Sequence, residues 1–163
     1  MSTRILAMVA AVLMIIPAMA GAETVLVAVN ETAQPENPEP SGRYYLSAVE
    51  AGAMDVLFEN GHIVFNAAGY EVEGDSSIQR RYTVRDMAKD GGAGYALHIE
   101  MEFLRPDAEE VVPETARYVM VDIGKSDVIG QGRISVTPEE DKSMERVLFE
   151  VGNRIATDVS EAW

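Results

Sequence analysis

The chain has 163 residues, a formal net charge of −14 and an isoelectric point near 4.4, and 47% of its residues are hydrophobic. That apolar content excludes a disordered chain, and the negative charge argues against nucleic acid and anionic membrane surfaces as partners. The absence of cysteine excludes disulfides, a thiol nucleophile, cysteine-ligated metal centres and a lipid-modified cysteine.

The first segment reads as an export signal: Arg4 supplies a short positive start, ILAMVAAVLMII an apolar run, and PAMAGA a small-residue cleavage site after Ala20 or Ala22. The run is shorter than a spanning helix needs and is broken by Pro17. Residues 1–22 are therefore expected to be cleaved, leaving 12 basic against 27 acidic residues and one domain, 23–163, in the periplasm, with no membrane insertion after cleavage. TVLVAV (Thr24–Val29) is apolar on both faces, as a strand covered on both sides would be. The segment 30–42 carries three prolines and several acids and reads as an extended, exposed loop.

Ser41 can cap the next helix, whose Leu46, Val49, Ala53, Val56 and Leu57 recur at helical spacing until Asn60-Gly61 closes it. HIVFN follows as a short strand, with His62 at the junction. Ser76-Ser77-Ile78-Gln79 is a capping box opening a second helix to about Lys89, which DGGAG stops. In YALHIEMEFL, Tyr95, Leu97, Ile99, Met101 and Phe103 alternate with Ala96, His98, Glu100 and Glu102, which predicts one packed and one wet face. RPDAEEVVPET reads as a polar excursion, and ARYVMVDI and VIGQGRISV as strands of a hairpin. Gly130 and Gly132 fall on its inward face, where another element can approach closely. Thr137-Pro138-Glu139-Glu140 predicts the start of a long last helix buried through Met144, Leu148, Val151, Ile155 and Val159. The order β-α-β-α-β-β-β-α predicts a two-layer α/β fold: a mixed sheet of about five strands with three helices, mainly on one face.

The tight helix-to-strand step VLFENGHIVF, the turn and alternating strand DGGAGYALHIEM, and the hairpin VDIGKSDVIGQGRISV before a terminal helix carry a resemblance. This order resembles the anticodon-binding-like α/β fold of bacterial envelope proteins: the TolB amino-terminal domain, the curli-secretion lipoprotein CsgG and the penicillin-binding-protein activator LpoB. The resemblance implies a non-enzymatic domain that docks onto envelope proteins or assembles with itself. It departs from CsgG and LpoB in lacking the lipid-bearing cysteine, and from TolB in lacking a following propeller.

His98, Glu100 and Glu102 place three potential metal ligands on one strand face, which reads more simply as a solvated surface. Glu71, Glu73 and Asp75 lack the spacing and central glycine of a calcium loop. DGGAG runs from helix to strand, the reverse of a phosphate cradle, and no serine–histidine–acid arrangement stands out. No cofactor and no catalytic residue are therefore assigned. The expected contact surface is the open sheet face, carrying His98, Glu100 and Glu102, with Tyr118 and Met120 on the next strand and Gln131 and Arg133 beyond. The leading expectation is an exported protein-binding or adaptor domain with an envelope partner, and homo-oligomers are compatible with it. The alternative is a metal- or small-ligand-binding periplasmic protein using the acidic strand 98–102.

Overall fold

The computed structural model describes residues 22–32, 43–67, 72, 74–107 and 110–161, with side chains placed for these residues except 43 and 105–111. The export signal up to residue 21, the proline-rich loop from residue 33, the Ser41 cap, and Glu71 and Glu73 lie outside them. The elements run β1 (Thr24–Glu31), α1 (Arg43–Glu59), β2 (Ile63–Asn66), α2 (Ser77–Asp90), β3 (Tyr95–Asp107), β4 (Glu110–Asp122), β5 (Asp127–Ser135) and α3 (Met144–Glu161). This is the order expected from the sequence.

The five strands form one mixed sheet in the order β2-β1-β3-β4-β5, parallel from β2 to β3 and antiparallel from there to β5. From β1 the chain crosses to β2 on one side, then from β2 to β3 on the other. Right-handed crossovers in opposite directions place α1 and α2 on opposite faces. Helix α3 returns to the α1 face. Hence β1 is buried on both sides: Val25 and Val27 face the main core under α1 and α3, while Leu26 and Ala28 face a smaller cluster under α2. Beyond the reach of α2, the β4–β5 part of that second face is bare.

Helix ends follow the sequence signals closely, with one exception. At the end of α1, Gly61 adopts a φ of +88° while the His62 amide donates to the Leu57 carbonyl and the Gly61 amide to Phe58, closing the helix. Gly92 at φ +73° does the same for α2. Ser76 and Gln79 form the reciprocal capping box at the start of α2. The exception is α3, which starts at Met144 rather than at Pro138. Its first turn is capped by Ser143, whose hydroxyl accepts from the Arg146 amide at 3.3 Å. The chain must cross from the sheet edge to the helix layer after Ser135, and residues 137–143 are spent on that crossing.

The two core helices touch backbone to backbone. A Cβ placed on Gly152 of α3 would lie 2.1 Å from the Val49 carbonyl oxygen, and one on Gly52 of α1 would lie 2.0 Å from that of Phe149. These paired glycines set the helix spacing over Leu97, Ile99, Met101 and Met120. Gly132 and Gly130 lie on the inward face as expected: the Tyr118 ring covers Gly132, and Val159 approaches Gly130.

The segment expected as a polar excursion is a continuation of the hairpin. Strand β3 runs to Asp107 and β4 resumes at Glu110, with Phe103 paired to Pro113 and Leu104 to Val112. Register shifts flank this stretch, after Glu102 and after Leu104, which is how a ladder accommodates a proline that cannot donate.

Candidate functional site

The face of the sheet opposite α1 and α3 holds a groove of about 490 Å³. Helix α2 forms one wall with Ser77 and Arg81, and the floor is His98, Glu100, Arg117, Val119, Gln131 and Arg133 from β3, β4 and β5. Register explains the floor: His98 pairs with Val119, Glu100 with Arg117 with Arg133, and Val119 with Gln131, so these side chains share one face. A second groove of about 480 Å³ lies farther along the same helix, lined by Arg85, Asp86, Lys89, Ile123, Gly124 and Ser126. Ser77, Arg81, Arg85 and Lys89 are spaced by four, so they form one stripe of α2 facing the bare strands.

Two of the seven residues expected on the open face turn their side chains to the other one, although Tyr118 still borders the groove. Tyr118 pairs with Ile99 and Met120 with Leu97, both inward positions, so both side chains enter the main core. The Tyr118 hydroxyl reaches through it to Asp158 of α3 at 3.1 Å. The antiparallel register decides this, because matching two strands fixes which of their alternating sets coincide.

The expected wet face of β3 is also largely dry. His98 and Glu100 are only 4% and 8% exposed, because α2 packs over them. Arg80 of α2 donates from Nε to the Glu100 carboxylate at 2.9 Å and from Nη1 to the Gly74 carbonyl. Burial alone would push the Glu100 carboxyl up. Hydrogen bonds from Ser77 and Arg80, with the His98 and Arg80 charges, hold it below the ordinary glutamate value. His98 hydrogen-bonds through Nε2 to the Asn30 side chain on β1. Its pKa is pushed down to about 4, first by burial, with Arg80 and Arg81 adding to the shift and Glu100 opposing it. The imidazole is therefore neutral at pH 7.

Glu102 sits at the groove's rim, bridged by Arg117 at 2.7 Å and Arg133 at 3.4 Å, while Arg133 also donates to the Thr115 hydroxyl. Thus His98, Glu100 and Glu102 do not converge: each is engaged by a different polar or cationic partner. Among the described residues no group of three histidines or acids is placed to hold a metal ion. Arg81 differs from its neighbours, since its Nε is buried at the groove wall and meets no acceptor among the described residues.

The groove therefore combines His98, Glu100, Gln131 and Arg133, read from the strands, with Ser77, Arg81 and Arg117, which strand alternation missed, while Glu102 stands beside it on Arg117 and Arg133. The four-residue spacing from Ser77 to Lys89 was the available signal for the helix wall.

No protein-family model matches the chain, and no curated protein sequence matches it. Solved structures share its fold. A PelC dodecamer structure from Paraburkholderia phytofirmans is 14% identical with a TM-score of 0.55, over 85% of this chain and 87% of that one. Lipoprotein GNA1162 from Neisseria meningitidis is 16% identical with a TM-score of 0.51, over 85% of this chain and 99% of that one. The LpoB C-terminal domain from Escherichia coli is matched more weakly, with 15% identity and a TM-score of 0.44 over 79% of this chain and 94% of that one. LpoB was expected from the element order, as was TolB, of which a structure also matches. At these identities the likeness is one of fold. Among the described residues no helix is long and apolar enough to cross a membrane.

Proposed function

We propose that this chain is a non-enzymatic, exported protein-binding or adaptor domain of the bacterial envelope, working in the periplasm by protein–protein contact. The observation that carries the reading is the bare, arginine-rimmed sheet face of β4 and β5. Its Arg117, Gln131 and Arg133 are exposed on a broad strand surface, the kind of area a protein partner covers. The acids nearest to it are held by arginines, so their charges stabilise the surface instead of serving proton transfer. The amino-terminal sequence supports export, and the fold shared with a protein described as a lipoprotein and with one described as a dodecamer supports an envelope setting and assembly. The wider kinship with CsgG and the anticodon-binding-like fold belongs to the same proposal. Glu102, Gln131 and Arg133 remain its contact set, with His98 and Glu100 on the groove floor beneath α2 and without the side chains of Tyr118 and Met120.

The test is site-specific photo-crosslinking in the living host from Gln131, which is exposed in the centre of the floor. Adducts with an envelope protein are expected at Gln131 and not at Lys125 in the β4–β5 turn. The absence of any protein adduct at Gln131, or recovery of the chain in the cytoplasm with its first 22 residues intact, would overturn the reading.

A further inference from the structure

The two grooves follow one another along α2, a helix of 14 residues and so about 21 Å long. Its first half, with Ser77 and Arg81, stands opposite Arg117 and Arg133. Its second half, with Arg85 and Lys89, stands opposite the β4–β5 turn at Gly124 and Ser126. Val119 lines the floor of the first groove. Val128, 47% exposed, pairs with Val121 on the same face, beside Ala96 of the cluster under α2. The grooves thus form one trough with a partly apolar floor and a helical wall. On its other side β5 ends the sheet.

The trough is positive on an acidic chain. Arg81, Arg85, Lys89, Arg117 and Arg133 line it, and the Arg80–Glu100 pair at its floor is neutral as a whole. Against these five cations stand Glu102, held by Arg117 and Arg133, and Asp86, paired with Arg85. Asp122, next to the turn, is taken by Lys125. Arg81 differs from the other arginines of the trough. It enters no ion pair among the described residues, and its buried Nε meets no acceptor there. A carboxylate from outside supplies that acceptor, because the guanidinium fork donates two parallel hydrogen bonds to one acid.

The spacing of the cations fits one form of anion better than others. Arg81, Arg85 and Lys89 follow one another at about 6 Å along the helix axis. In an extended peptide the side chains of one edge recur at every second residue, about 6.7 Å apart. A compact anion would reach one end of the trough and leave the cations of the other end unmatched. We infer that the trough along α2 receives an extended acidic peptide segment of the envelope partner, with glutamates or aspartates at alternate positions. Arginine clusters are a recurrent means of recognising acidic segments. The inference rests on the protein-binding reading and adds the chemistry of the partner.

Fluorescence anisotropy of the purified protein at low salt, with a labelled Glu-Thr-Glu-Thr-Glu-Thr-Glu peptide, tests it. Binding is expected to be about tenfold tighter than with a peptide of the same composition whose glutamates are contiguous. Arg81→Gln and Arg133→Gln should each weaken binding by roughly tenfold, since each removes charge-assisted hydrogen bonds. Arg146→Gln on α3, across the sheet, should leave it unchanged. Melting temperatures near the parent's show that the variants fold, and if one fails to fold the other decides. Equal affinity for the two peptides, indifference to both trough variants, or tighter binding of polygalacturonate at equal carboxylate concentration would overturn the inference. The segment crosslinked from Gln131 in the living host then separates the inference from the reading beneath it. Adducts to a partner segment with acids at alternate positions are expected. Adducts to a neutral or basic partner segment would sink the inference and leave the protein-binding reading standing. Adducts to residues 33–42 of the same chain or to a second copy would sink the inference too, and no adduct at all removes the reading itself.

Discussion

Replacing Gly152 by alanine separates two effects of opposite sign. In an isolated helix the change stabilises by about 1 kcal/mol, because alanine loses less backbone freedom. Here the new methyl would stand 2.1 Å from the Val49 carbonyl oxygen and 2.8 Å from the Ala53 amide nitrogen. Both obstacles are backbone, so no rotamer change relieves them, and α1 and α3 must part by roughly 1 Å. A gap of that size forfeits about a quarter to a half of the attraction at each contact along the seam. Overpacking of this kind costs about 3 kcal/mol at the upper end of its usual range. After the propensity gain, a net loss of about 2 kcal/mol remains, a fall in Tm of roughly 6 °C for a domain of this size. Urea unfolding and calorimetry read it directly. Gly52→Ala should behave alike, and the double variant should cost less than the two singles added, since one separation makes room for both methyls. A Tm for Gly152→Ala equal to or above the parent's, or strict additivity, would refute the close helix contact.

Two further outcomes follow from the dry side of β3. Arg80→Ala leaves the Glu100 carboxylate buried without its guanidinium and should cost about 3–5 kcal/mol in urea unfolding, whereas Arg80→Met with Glu100→Met should cost markedly less than either single change. The pH dependence has a definite sign. The unfolded chain protonates His98 near pH 6.5 and the folded chain only at about 4, so between those values the unfolded state binds the extra proton and stability falls with falling pH. At about 1.4 kcal/mol per unit of separation this amounts to about 3 kcal/mol by pH 4. Glu100, with its carboxyl held low, adds to the acid loss below its unfolded pKa. His98→Gln should flatten the slope of stability between pH 6.5 and 4, and an unchanged slope would place the imidazole in water.

The sequence by itself determined the elements and most of their ends. Gly61, Gly92 and the Ser76–Gln79 box act through neighbours a few residues away, so local chemistry is enough to read them. Alternation in β3 likewise fixed which residues share a face, because the period of a strand is a local property. Whether a face is wet is not local. His98 and Glu100 became buried because the crossover from β2 to β3 runs opposite to the one from β1 to β2 and brings Arg80 over the sheet. Tyr118 and Met120 moved inward because the β3–β4 register pairs them with Ile99 and Leu97. The segment after Leu104 became a continuation of the β3–β4 hairpin because its pairing partner, and not its composition, supplies its hydrogen bonds. Strand register, crossover handedness and the Gly52–Gly152 contact join residues far apart in the chain, so only the tertiary structure decided them and, with them, which arginines meet in the groove.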